Sequence, residues 1–247
     1  MSQPVWQTIR NQLSAEIADG QFGPGAKLPT EAELARRFGV NRHTVRRALG
    51  SLADEGLVHA RRGSGVFVTH RPVPYRLGPM VSFTQNMADT GHEGRREILR
   101  LETLPAKAEE AEALEIPACS LVHVLENVAL IDGVPSTHSR CWLPAERLPN
   151  FPEAMRATGS ITAALRADGA DAYIRAWTRV SAGRADGATA RHLQMSEGAP
   201  ILRTVSLNRT QDGWPVEYAH TVFCGDRVEF VVGEEGEPIL QHQTTVA

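Results

Sequence analysis

Apolar residues recur every fourth position at Val5, Ile9, Leu13 and Ile17, which predicts an amphipathic helix running to Gly20. A turn-rich stretch, Gln21-Phe22-Gly23-Pro24-Gly25, follows. In Leu28-Pro29-Thr30-Glu31-Ala32-Glu33-Leu34, Thr30 and Glu33 have capping-box spacing and start a second helix toward Phe38. Gly39 ends it and Asn41 caps a third, whose buried stripe is Val45, Leu49 and Leu52, closed by Gly56. Residues 57–60 and 66–68 read as two short strands joined by Arg61-Arg62-Gly63-Ser64-Gly65. Three helices followed by a two-stranded ribbon make a winged helix-turn-helix over residues 1–71.

Arg71-Pro72-Val73-Pro74 reads as a stiff connector, giving a linker over 72–79. Beyond it the period changes. Ser82 caps a helix through Met87 to Gly91, residues 96–102 form a strand, and 105–114 an Ala/Glu-rich helix. Strands over 121–131 and 134–142 flank Asp132-Gly133, a hairpin signal, and a second hairpin joins 201–210 to 214–223 across Asp212-Gly213. Ser160 caps a helix to Arg166; a strand over 173–184, a helix over 186–194 and a last strand over 228–232 complete the set. These elements predict a second domain over 80–233, an α+β antiparallel sheet flanked by helices, with a frayed tail over 234–247. No internal repeat beyond the two hairpins is visible.

Composition adds little until the chain is divided. Of 247 residues, 42% are hydrophobic and 22% charged, ordinary for a globular protein, and the formal net charge is −3. Residues 1–71 nevertheless hold ten Lys/Arg against six Asp/Glu, and residues 34–71 hold eight Arg against only Asp54 and Glu55. A polyanion partner is therefore expected for the N-terminal part alone. No apolar run is long enough to span a membrane, and the opening residues lack a basic and an apolar signal region, so a cytoplasmic location is expected. Cys119, Cys141 and Cys224 are far apart without metal-ligand spacing, so reduced thiols, no metal and no cofactor are expected.

On the third helix Arg42 and Arg46 share one ridge, and His43 and Arg47 another, opposite the apolar stripe. Arginines near the start of such a helix can fork onto guanine O6 and N7, each good pair discriminating by about 1–3 kcal/mol. Asn41 and Thr44 read as phosphate or capping groups. In the ribbon, Gly63 and Gly65 let backbone approach a groove, while Arg61 and Arg62 offer charge to phosphate or a narrow minor groove.

The run Leu28-Pro29-Thr30-Glu31, Leu34-Ala35, Val40-Asn41-Arg42, Thr44-Val45-Arg46, Ala48-Leu49, Glu55-Gly56-Leu57-Val58 and Gly63-Ser64-Gly65-Val66-Phe67-Val68 resembles the DNA-binding domain of GntR-type repressors over residues 6–69. The resemblance implies DNA contacts from Thr30, Asn41, Arg42, His43, Thr44, Arg46, Arg47, Arg61, Arg62 and Gly63. Ala32 stands where that family often has a phosphate-contacting Arg, and Asn41 replaces a usual Ser or Thr.

The C-terminal part is similar to the UTRA ligand-binding domain of the HutC branch, whose fold is shared with chorismate lyase. The matching pieces are Val81-Ser82-Phe83-Thr84, Asp132-Gly133-Val134-Pro135, Trp142-Leu143-Pro144, Gly159-Ser160-Ile161-Thr162 and Asp212-Gly213-Trp214-Pro215-Val216-Glu217-Tyr218. Tyr173-Ile174-Arg175 and Glu217-Tyr218-Ala219-His220-Thr221 look most like PhnF-type regulators of phosphonate use. The resemblance implies a homodimer on a pseudo-palindromic operator, responding to a small effector such as a phosphonate or phosphate ester. The alternatives are regulation of another catabolic pathway, for histidine or an amino sugar, and a chorismate-lyase-like enzyme. Helix starts at Ser82 and Ser160 attract anions, and period-two alternation puts Ser136, His138, Arg140 and Trp142 on one face. The expected pocket is therefore Ser82, Phe83, Thr84, Arg140, Ser160, Thr162 and His220. Sugar-phosphate-binding relatives carry two arginines on the strand before the first Asp-Gly turn, where this chain has Asn127 and Ala129. His123, His138, His192 and His220 are scattered with no catalytic motif around them, so no enzymatic activity is expected.

Overall fold

The structure, a computed structural model, describes residues 4–23, 25–61, 65–69, 72–79, 82–170 and 172–233, apart from the Arg61 side chain. The chain divides into two compact units, Met1–Arg71 and Pro72–Ala247.

The first unit packs α1 (Val5–Ala18), α2 (Glu31–Phe38) and α3 (Arg42–Asp54) with an antiparallel ribbon of β1 (Val58–Arg61) and β2 (Gly65–Val68). Leu13, Leu34, Val45 and Leu52 are fully buried in one cluster, each burial contributing about 1.5–3 kcal/mol. The turn between α2 and α3 is set by Gly39 in the left-handed region (φ 65°), and Lys27 bridges to Phe67 at the ribbon's edge. Glu16 of α1 is buried because Arg37 of α2 forks onto its carboxylate, so an ion pair ties these helices.

The second unit begins with β3 (Val73–Arg76), α4 (Phe83–Asp89), β4 (Gly94–Pro105), α5 (Ala108–Ala113), β5 (Leu121–Ile131) and β6 (Val134–Pro144). It continues through α6 (Phe151–Thr158), α7 (Ile161–Arg166), β7 (Tyr173–Arg184), α8 (Gly187–His192), β8 (Pro200–Thr210), β9 (Pro215–Cys224) and β10 (Val228–Val231). Six strands form one antiparallel sheet in the order β4-β5-β6-β9-β8-β7. The order exposes a repeat that the sequence reading missed. Each half runs long strand, short helix, hairpin (β4-α5-β5-β6, then β7-α8-β8-β9), and the halves join through β6 and β9. Asp132 (φ 49°) and Gly133 (φ 78°) both take positive φ at the first hairpin, as a primed two-residue turn requires.

Two expectations change and one helix is added. Residues 73–76 are not a free connector, because β3 pairs in parallel with β10 and buries Val73 and Tyr75 against Phe83, Phe223 and Val228. Proline hid this strand: Pro74 lacks an amide donor, which a strand with a single partner tolerates. Helix α6, in a stretch to which the sequence assigned no element, carries Pro152 in its first turn, where the missing amide costs nothing. The Ala/Glu-rich helix begins at Ala108, since β4 runs on to Pro105.

Candidate functional site

In the first unit the capping box forms. The Thr30 amide and hydroxyl both donate to Glu33 Oε2 at 2.7 Å, and the Glu33 amide donates back at 3.3 Å. Asn41 Oδ1 accepts from the Thr44 amide at 2.8 Å and the Thr44 hydroxyl at 2.9 Å, so of the two roles open to Asn41 and Thr44 the cap is filled. Asn41, Arg42, His43, Arg46 and Arg47 are all exposed, yet they are not equivalent. Arg46 forks onto Glu31, Nε to Oε1 at 2.9 Å and Nη2 to Oε2 at 2.8 Å. That bond holds the Glu31 carboxyl below its ordinary pKa and raises the Arg46 guanidinium. Arg47 lies over the Trp6 ring of α1 with Cζ 4.6 Å from its centroid, a cation–π contact. Arg42 and His43 form no side-chain hydrogen bond or ion pair among the described residues. The two free groups thus sit on the first turn of α3, while Arg46 links α3 to α2 through Glu31 with its side chain still 62% exposed. Arg62 and Gly63 lie outside the described residues, as does the Arg61 side chain; the Arg61 backbone pairs with Gly65.

In the second unit a cavity of about 70 Å³ lies on one face of the sheet, closed by α4, α7 and β3. Phe83 and Thr162 line it as expected. Ser82 and Ser160 instead spend their hydroxyls on capping, accepting from the Gln85 amide at 3.2 Å and the Ala163 amide at 3.3 Å. Thr84 is exposed.

Arg140 and His220 are a correction. The face of β6 that lines this cavity carries Thr137, Ser139 and Cys141, so period-two alternation sends His138, Arg140 and Trp142 through to the other side of the sheet. There Arg140 Nη2 donates to Glu126 at 2.9 Å. His220 bonds the Tyr218 hydroxyl at 2.8 Å and stands edge-on to Trp142. The expected pocket list mixed two faces.

The cavity's cations are Arg96 of β4 and Arg175 of β7, neither on that list. Among the described residues, both have a buried Nε without a hydrogen-bond partner, and Thr178 Oγ1 and Asn208 Oδ1 are buried and unpartnered as well. Each unmet N–H costs about 1–3 kcal/mol until something accepts from it. Arg96 is steadied by stacking over Phe83, Cζ 4.7 Å from the ring. Arg175 Nη1 reaches the Gly78 carbonyl at 3.4 Å. Across the cavity stands Glu217, only 6% exposed, accepting from Asn208 Nδ2 at 2.7 Å. Burial, reinforced by Glu217, pushes the Tyr173 phenol up to about 12, so it stays protonated and hydrogen-bonds the Thr162 hydroxyl at 2.8 Å. Burial likewise raises the Cys141 thiol.

Simple alternation along β7 puts Tyr173, Arg175, Trp177 and Arg179 on one face. A bulge between Arg175 and Trp177 shifts the phase. Tyr173, Arg175 and Thr178 enter the cavity, and Trp177 and Arg179 face away beside Leu207 and Tyr218. Arg96 was within reach of sequence reasoning as the inward neighbour of Arg95, which pairs with Glu97 outside. The bulge carried no sequence signal.

Residues 6–68 match the bacterial regulatory proteins, gntR family, and residues 89–229 match the UTRA domain. An uncharacterised HTH-type transcriptional regulator of Rhizobium meliloti (strain 1021) is 36% identical over 93% of this chain and 94% of its own length. The probable transcriptional regulator PhnF of Escherichia coli (strain K12) is 33% identical over 92% and 94%. The transcriptional repressor NagR of Bacillus subtilis (strain 168) is 29% identical over 92% and 93%. Among solved structures, PhnF from Mycobacterium smegmatis superposes with a TM-score of 0.60 at 28% identity, covering 93% of this chain and all of that one.

Proposed function

The chain belongs to the GntR family of bacterial regulatory proteins, with a UTRA domain behind its winged helix, and on that premise we propose that it is a homodimeric repressor of phosphonate uptake and degradation genes. It is a transcriptional regulator and not an enzyme. Its DNA contacts in this reading are base edges for Arg42 and His43, and a phosphate for the side-chain NH2 of Asn41, whose Oδ1 is taken by the cap, with Thr30 ordering the neighbouring turn through Glu33. Arg46 and Arg47 hold α3 in place, and the ribbon residues Arg61, Arg62 and Gly63 track the backbone.

The observation that carries the ligand half is the pair of buried, unpartnered guanidinium Nε groups on Arg96 and Arg175. A phosphonate or phosphate ester has the several acceptor oxygens that two such edges require. The cavity is lined by Tyr75 and Leu77, on and just after the strand that leads in from the DNA-binding unit. A ligand that draws Arg175 off the Gly78 carbonyl therefore acts on that same segment, the route by which it alters DNA binding.

A second reading, a sugar-derived effector, is favoured by the opposite wall. Glu217 and Asn208 with Thr137, Ser139, Thr204 and Ser206 suit hydroxyl or amine groups, and NagR is among the relatives. Fluorescence anisotropy with labelled DNA from this gene's own upstream region tests both. Alkylphosphonates or phosphate esters are expected to release the complex in the wild type, while Arg175→Ala binds DNA but ignores them. Release by neutral sugars alone replaces the first reading with the second. Failure to bind that DNA at any ionic strength sinks the proposal as a whole.

A further inference from the structure

On the sheet face away from the ligand cavity, β5, β6 and α8 bring together Glu126, His138 and His192. Their donor atoms all lie within 4.8 Å of one another. Glu126 Oε1 and His138 Nε2 are 2.9 Å apart, and the two imidazoles stack with centroids 4.6 Å apart and planes at 24°. The His138 and Glu126 side chains are only 19% and 16% exposed, and the group opens onto a cavity of about 430 Å³.

We propose that Glu126, His138 and His192 form a binding site for a borderline divalent transition metal such as Zn²⁺. Bonds of about 2.0–2.1 Å in a tetrahedron put neighbouring donors roughly 3.3 Å apart, so small side-chain rotations close the present spacing. Two imidazoles and one carboxylate suit zinc, nickel or iron, whereas magnesium and calcium want all-oxygen shells. Three protein donors leave a fourth position open toward the cavity, for water or an anion. Glu126 is already oriented, since Arg140 holds its other oxygen at 2.9 Å. A carboxylate fixed by a neighbour in this way is the usual support for a metal ligand. Where the metal takes His138 Nε2, the neutral ring carries its proton on Nδ1 and the hydrogen bond to Glu126 is given up.

The site has a consequence for the fold. Helix α8 is six residues long, capped at its start by the Asp186 carboxylate accepting from the Thr189 amide at 2.8 Å. His192 is its last residue, so a metal staples the end of α8 to the centre of the sheet.

The test uses the full chain stripped of metal, in a Cys119→Ser background because that thiol is exposed and competes for zinc. Titration calorimetry with Zn²⁺ is expected to give one equivalent per chain, and Co²⁺ to give visible d–d bands. Arg140→Ala weakens the affinity by about tenfold, and His192→Ala or His138→Ala by more, with loss of the bands. Should a variant fail to fold, histidine-ring NMR of the parent serves instead: Zn²⁺ moves the His138 and His192 signals and spares those of His123. No uptake of Zn²⁺, Ni²⁺ or Co²⁺ in excess overturns the assignment. So does a stoichiometric affinity unchanged by His192→Ala, or zinc that leaves the His138 and His192 signals in place.

Discussion

Arg42 and Arg46 occupy one ridge of α3 and differ in what holds them. Because Arg46 is forked onto Glu31, Arg46→Ala is expected to lower binding to operator and random DNA alike, by loosening α3 on α2. Arg42→Ala is expected to weaken the operator by about 5–150-fold, the equivalent of about 1–3 kcal/mol, with a smaller effect on random DNA. Gel-shift titrations on both DNAs at several salt concentrations check the pair. His123 makes a prediction about pH. Its Nε2 donates to the Leu148 carbonyl and its Nδ1 accepts from Thr103, both at 2.9 Å, and burial lowers its pKa. The folded chain therefore takes up this proton at lower pH than the unfolded chain, whose histidines titrate near about 6.5. The stability it contributes is present above that pH and lost as pH falls below it. The thermal unfolding midpoint is expected to drop as pH falls below about 6.5, with a shallower slope in His123→Gln. His138 and His220, lowered mainly by burial too, keep part of the slope.

At the scale of elements, caps and close approaches decide. Asn41→Ala removes the side chain that caps α3 and is expected to cost about 1 kcal/mol of stability in the DNA-binding unit, read by denaturant unfolding. Gly94 opens β4 beneath α4, where an added Cβ falls 2.8 Å from the Phe83 ring and 2.9 Å from Met87 Cγ. Gly94→Ala is expected to push α4 outward and destabilise the second unit by about 1–3 kcal/mol. Since Phe83 carries Arg96, effector response should weaken more than DNA binding, measured as the ligand concentration that releases half the operator. The helix caps at Thr30, Asn41, Ser82 and Ser160 were legible because capping is a local exchange of hydrogen bonds written within four residues. Strand β3 was not, because the strand it pairs with, β10, enters the chain about 150 residues later.

For the whole molecule, two units on one chain must exchange free energy if an effector is to control DNA binding. A coupling of about 1–3 kcal/mol changes operator affinity roughly 5–150-fold and, by linkage, changes effector affinity equally when operator is bound. Calorimetric titration of effector with and without operator measures both directions, and unequal factors would break the scheme. What the sequence determined by itself was whatever short-range pattern encodes: the three helices and ribbon, their caps, the two Asp-Gly hairpins, the α+β class and the skewed charge. Tertiary structure alone decided which side chains meet. Alternation assigns a residue to one of two faces but cannot say which face holds the cavity, and a single bulge reverses the assignment. Hence Arg140 and His220 went to the far side, while Arg96, Arg175 and Glu217, from strands distant in the chain, converge on one cavity.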